Sequence, residues 1–378
     1  MTIPINNKPS NKSNSSTNTL ATQKRYYYGL DELRAALMLI GVFWHAACIL
    51  APTFHFVYSS PYHKSALIYR SVYPEHIFRM EAFYLVSGFL SYMIISRKGK
   101  KEFIRARIKR VLIPLVLGCF GVNLFLQIYG SLTMGYRWAH FDMWRWVMHG
   151  WFLITLFVCA LIDLILPKVF YKNQKLGIIT MLFAVWFIYC SCLYFNGDYW
   201  HFFGPVSNNL FNFFILNTLS YYPFYYFGAL LFINQDKLDR IPVKAIYFLG
   251  VLALFSAGFE YLYHFKFFDI EVYPSLRPFL QRFIATVAAL SCALFLFIIF
   301  YRSKRQANKV IRYLINSAIV IYLVHHPLLI IFGKLLDFQF LSNGGYYFLL
   351  VTVVFAVSYG LYELIRRYSI SRFIFGLK

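Results

Sequence analysis

Residues 32–53 read ELRAALMLIGVFWHAACILAPT. Past Glu32 the only basic or acidic side chains in this run are Arg34 and His45, and the rest is a near-continuous apolar surface. About 20 residues of this kind are what a helix needs to cross the hydrocarbon core of a bilayer. A cleaved signal would have a shorter apolar core followed by a small-residue processing site, so the run reads as a retained transmembrane helix. Runs of the same character recur near 76–96, 111–133, 149–166, 177–195, 212–233, 245–263, 281–301, 313–333 and 346–365. The expected fold is therefore an all-α integral membrane protein of about ten transmembrane helices, a single polytopic domain over residues 26–378. The preceding residues 1–25, rich in Asn and Ser, cannot repay the entropy of ordering and read as a disordered cytoplasmic tail.

Composition agrees with that reading. Apolar residues make up 60% of the 378 and charged residues 14%, against roughly 45–50% and 25% in soluble domains, which excludes a soluble enzyme. A formal charge of +22 suits either nucleic acid or a membrane surface, and placement decides between them. The segments 1–25, 97–110, 167–176, 235–244, 302–312 and 366–378 carry 27 Lys and Arg, and the alternate loops carry seven. The positive-inside rule then puts both termini in the cytoplasm, and the charge needs no nucleic-acid partner. The six cysteines (48, 119, 159, 190, 192 and 292) lie inside apolar runs without metal-ligand spacing and read as small buried side chains. Three outer loops, TFHFVYSSPYH, GYRWAHFDMWRW and NGDYWHFFGP, are rich in aromatics and His. They fit an interfacial aromatic belt or a platform on which sugar rings stack.

Ionisable residues at membrane depth are functional candidates by default unless they snorkel to an interface. Arg34 and His45 are eleven residues apart, three helical turns plus about 20°, so they share one face about 16 Å apart. Met38 and Gly41 lie between them, and Gly41 leaves room for a slender ligand against the backbone. The stripe reads either as a track inward from the cytosol, or as Arg34 snorkelling and His45 bonded to a neighbouring helix. In the second span Arg79 and Glu81 point in nearly opposite directions; Glu81 shares a face with Gly88 and is expected to look into the bundle toward a His or Arg. Arg79 has two readings, a snorkelling side chain or a binder of an acidic substrate group. In YLVHHP, the adjacent His325 and His326 are a poor metal pair, Tyr322 reaches either by helical spacing, and Pro327 kinks the helix. His325 and His45 fall at similar depth in the outer half and are expected to line one cavity. The cytoplasmic run RKGKKEFIRARIKR, residues 97–110, reads as a solvated loop that sets topology, or through Arg107 and Arg110 as a phosphate clamp.

These residues also carry a resemblance. YGLDELRAALMLIGVFWH resembles the opening helix of the membrane acyltransferase-3 family, with Arg34 and His45 at its Arg/His spacing. FYLVSGF and RARIKRVLIP are similar to two further motifs of that family. FRMEAFYLVSGFLSYM, HGWFLITL and NSAIVIYLVHHPLLIIFG resemble the branch that succinylates osmoregulated periplasmic glucans, which commonly has an amide where this chain has Glu81. The resemblance implies a multi-pass enzyme of the bacterial inner membrane that moves a succinyl group from cytosolic succinyl-CoA, a co-substrate, to glucan hydroxyls in the periplasm, with membrane lipid around it and no metal. It implies catalytic roles for His45, Glu81, His325 and His326, with His45 as the base. Arg34, Arg107 and Arg110 would bind the donor; Arg79, Tyr322, His149 and Trp151 would bind substrate. An acetyltransferase of another envelope polysaccharide is the nearer alternative. A transporter or flippase is the further one, and the internal repeats it would need are not seen in the sequence.

Overall fold

A computed structural model describes residues 26–52, 58–133, 147–165, 210–267, 276–303 and 308–377. Helices α1 (Tyr28–Leu39) and α2 (Gly41–Ile49) stand end to end across Ile40. They are followed by α3 (Ala66–Val72), a 3-10 turn (Tyr73–Ile77) and α4 (Arg79–Arg107). Two π-helical turns, Ile108–Leu112 and Gly118–Val122, flank α5 (Ile113–Leu117) and lead into α6 (Asn123–Thr133). A 3-10 turn at Met148–Gly150 opens α7 (Trp151–Ile165). The rest comprises α8 (Leu210–Ile233), α9 (Gln235–Asp239), α10 (Val243–His264), α11 (Arg277–Arg302), α12 (Lys309–Leu335), α13 (Asn343–Ile365) and α14 (Ser369–Ile374). No strand occurs among the described residues.

Local sequence explains several boundaries. The Asn308 side chain accepts from the Ile311 amide at 2.8 Å to start α12, and Ser342 accepts from Gly345 at 3.0 Å to start α13. Among the described residues six helical stretches are long and apolar enough to cross a membrane, with 66–132 counted as one. Helices stand at nine of the ten expected positions; the remaining run, 177–195, lies outside the described residues, as does the tail. At the fourth position α7 has only 15 residues, short for a full crossing.

The basic run 97–110 is corrected by the structure. It is helical rather than a loop, because Lys, Glu, Arg and Ala favour helix, and the chain changes direction at Gly99 (φ 82°, ψ 168°). The core gathers around α4 and α8, whose backbones meet at two glycines: a β-carbon on Gly88 would fall 1.8 Å from the Tyr225 carbonyl oxygen, and one on Gly228 would fall 2.0 Å from that of Leu85. Tyr84, Phe89, Tyr225, Tyr226 and Phe297 fill the space around this contact.

A polar latch joins the segment after α2 to the α12–α13 connection. Asp337 accepts from Tyr58 at 2.5 Å and Ser60 at 2.8 Å, and lies 3.4 Å from His63 Nε2. His63 stacks on Tyr346 with centroids 4.4 Å apart. Burial, and then the Asp337 carboxylate, push the Tyr58 phenol up from its ordinary range.

Candidate active site

Four histidines from three separate parts of the chain meet inside the bundle. The His45 ring, carried on α2, has its centroid 5.4 Å from both His325 and His326 of α12. His149, on the turn before α7, is 4.9 Å from His326 and 5.3 Å from His325. The expected pairing of His45 with His325 is present, and His149 joins it. Tyr322 does not bond either neighbouring imidazole in the way its spacing allowed; its hydroxyl donates to the His149 carbonyl and so ties α12 to the turn before α7. Among the described residues no group of His, Cys, Asp or Glu is arranged to hold a metal ion.

His325 has a fixed tautomer. Its Nδ1 lies 2.7 Å from the Tyr322 carbonyl and 3.1 Å from that of Ile321. Carbonyl oxygens only accept, so Nδ1 carries the proton and the neutral ring keeps its lone pair on Nε2. That nitrogen is buried and has no hydrogen-bond partner.

Arg79 faces the same site. Its Nη1 donates to Glu75 Oε1 at 3.0 Å, one helical turn earlier, and the guanidinium lies against the backbone of Gly41. The gap that glycine leaves on the stripe is therefore filled by Arg79 rather than left open for a ligand, which corrects the sequence reading. His45 lies within the electrostatic reach of Arg79, His149, His325 and His326. Glu81, expected among the catalytic residues and to look toward a His or Arg, has Arg282 and Arg79 as charged neighbours. Trp151 stacks on Tyr221 at 5.9 Å, while its neighbour Phe152 is the ring that reaches Tyr322, at 5.5 Å.

The three arginines expected to bind a donor are brought together by the fold. Arg34 and Arg110 are both charged neighbours of Arg107, and Arg34 pairs with Asp31 at 3.1 Å. Arg110 is exposed, whereas Arg107 turns inward to the Ser91 hydroxyl and lies over the Phe103 ring at 5.0 Å. Asp163 and Tyr225 stand within its electrostatic reach.

Glu75, Asp163 and Glu260 were missed in the sequence. Glu75 was legible from its i,i+4 spacing to Arg79, and Asp163 and Glu260 as carboxylates inside apolar runs.

Residues 27–363 match the family model described as Acyltransferase domain. The chain is 26% identical over 388 aligned positions to Glucans biosynthesis protein C of Escherichia coli O1:K1, with 96% of each chain covered. It is 27% identical over 379 positions to the protein of that name from Salmonella typhi, covering 93% of this chain and 94% of the relative. No solved structure matches the chain.

Proposed function

We propose, from the premise that this chain belongs to the Acyltransferase domain family, that it is a transmembrane O-acyltransferase moving a succinyl group from cytosolic succinyl-CoA to hydroxyls of periplasmic glucans. The family makes the chain an acyltransferase, and its apolar helices fit a membrane enzyme. The ten-span topology, the cytoplasmic termini, the inner-membrane location, the succinyl donor and the glucan acceptor belong to the proposal. The name of the Escherichia coli and Salmonella relatives supports the acceptor class.

The observation that carries the reading is the imidazole cluster beside a positioned guanidinium. Acyl transfer forms a bond between a hydroxyl oxygen and the acyl carbon, breaks the carbon–sulfur bond and moves the hydroxyl proton to the departing thiolate. An imidazole carries that proton in transit, and an N–H donor steadies the oxyanion. In this reading His45 acts as the base, as the family resemblance implies. The fixed tautomer of His325 favours a second assignment, with its Nε2 lone pair as the proton acceptor. Arg79 spends Nη1 on Glu75, and its other N–H groups serve the oxyanion or the succinyl carboxylate. Arg34, Arg107 and Arg110 form the donor end, where guanidinium forks suit phosphates.

The test is purified protein in liposomes, offered labelled succinyl-CoA or acetyl-CoA with glucan, and the product glycans weighed by mass spectrometry. Succinylated glucan is expected. A preference for acetyl-CoA overturns the donor assignment, and no acyl transfer from either overturns the reading.

A further inference from the structure

At the outer end of α10, two aromatic stacks lie side by side, each with a buried inner ring and an exposed imidazole on top. His76 lies flat on Trp44, with centroids 4.5 Å apart and planes 10° apart. His264 lies on Tyr73 at 4.3 Å and 22°. Trp44 and Tyr73 are each 7% exposed, whereas both imidazoles are exposed. Beneath the second stack Tyr73 donates to Glu260 Oε1 at 3.1 Å; Glu260 is 8% exposed, and its Oε2 is buried without a partner. The second oxygen of Glu75 is likewise buried and unpartnered, and its first holds Arg79. A polar path therefore runs from the imidazole cluster through Arg79 and Glu75 to this face.

An interfacial aromatic belt explains rings at this depth but leaves two carboxylate oxygens without donors, which burial penalises. A ligand that stacks on flat rings and brings hydroxyl donors accounts for both. We infer that this face, formed by the 3-10 turn at Tyr73–Ile77 and the end of α10, is the acceptor subsite for a neutral, hydroxyl-rich hexopyranose chain. Its sugar rings pack on His76 and His264, and its hydroxyls donate to Glu260 and Glu75. The inference deepens the proposed function and rests on it for the identity of the reaction. It has a chemical corollary: esterification with succinate adds a carboxylate to the bound sugar, and two carboxylates nearby favour its departure.

The test is binding of a neutral β-linked gluco-oligosaccharide to the full-length protein in detergent, without acyl donor, read by saturation-transfer NMR. Alongside it, acceptor KM and donor KM are read from coenzyme A thiol release. Glu260→Gln, which keeps the side-chain shape, and His76→Ala, at an exposed ring, are each expected to weaken oligosaccharide binding and raise acceptor KM about tenfold, with donor KM unmoved. Unchanged binding and unchanged acceptor KM in both folded variants overturn the subsite and leave the rings as a membrane belt. Oligosaccharide binding that depends on both residues, in a protein that transfers no acyl group, upholds the subsite and overturns the acyltransferase reading instead.

Discussion

The Arg79 guanidinium occupies the space that a side chain on Gly41 would need: a β-carbon there falls 2.5 Å from Nη1. The clash is with the far end of a flexible side chain, so Gly41→Ala is expected to change stability by less than about 1 kcal/mol while displacing the guanidinium. A shift of about 1 Å in a positioned group costs up to a hundredfold in rate. Thermal unfolding near that of the unsubstituted protein, with kcat down at least tenfold, is the expected result. Normal turnover removes Arg79 from the chemistry.

His45→Ala is expected to lower acyl transfer by about 10²–10⁴ in protein that still folds, the usual cost of losing a general base. His325→Ala separates the two assignments of that role. If His45 is the base, the loss at His325 is the smaller of the two; a larger loss at His325 moves the proton to its Nε2.

Arg79→Ala also strands Glu75, so the informative comparison is the double variant Glu75→Gln/Arg79→Ala, in which neither charge remains. Succinyl transfer is expected to fall about a hundredfold further than acetyl transfer, because only the succinyl carboxylate is left desolvated without a cation. Equal losses with the two donors make the pair structural.

Arg107 and Arg110 are expected to behave differently, although the sequence presents them as one motif. Arg110→Ala removes an exposed charge and should raise donor KM most at low salt, since screening acts on exposed charges. Arg107→Ala removes an inward-turned side chain that holds the Ser91 hydroxyl and covers the Phe103 ring and is expected to destabilise the fold by about 2 kcal/mol, read as a lower Tm in detergent. Identical behaviour of the two variants contradicts the inward turn of Arg107.

Topology is open to cysteine labelling in a variant without the native cysteines. Positions near 100, 240 and 305 are expected to react from the cytosolic side only, and those near 140, 200 and 270 from the outside only. Reversal at any two of these loops overturns the orientation.

The helices were legible because membrane crossing imposes a length and an apolar composition that a single strand of sequence displays. The meeting of His45 with His325 was legible too, from equal depth along two helices. Rotation about each helix axis was not, since a bundle surrounded by lipid gives apolar side chains a home on every face. That is why Arg79, which the sequence left between a snorkelling side chain and a substrate binder, is found against the Gly41 backbone and on Glu75. His149 was visible only through a motif, because a 3-10 turn has no periodic signature. The filling of Gly41 by Arg79 needed the crossing of two helices, which no spacing within either one specifies.

Sixteen residues of straight helix would separate Ser91 from Arg107 by about 24 Å, yet the two side chains touch. The contact exists because Gly99 adopts backbone angles that only glycine holds at low cost, with no atom within 4 Å of where a β-carbon would lie. α4 is thus folded like a jackknife, its basic blade closed against its own handle. The handle is also the rod that carries Arg79, which is its first residue. One backbone position, in open space, thus decides how close the basic residues that follow it stand to the helix that begins with Arg79.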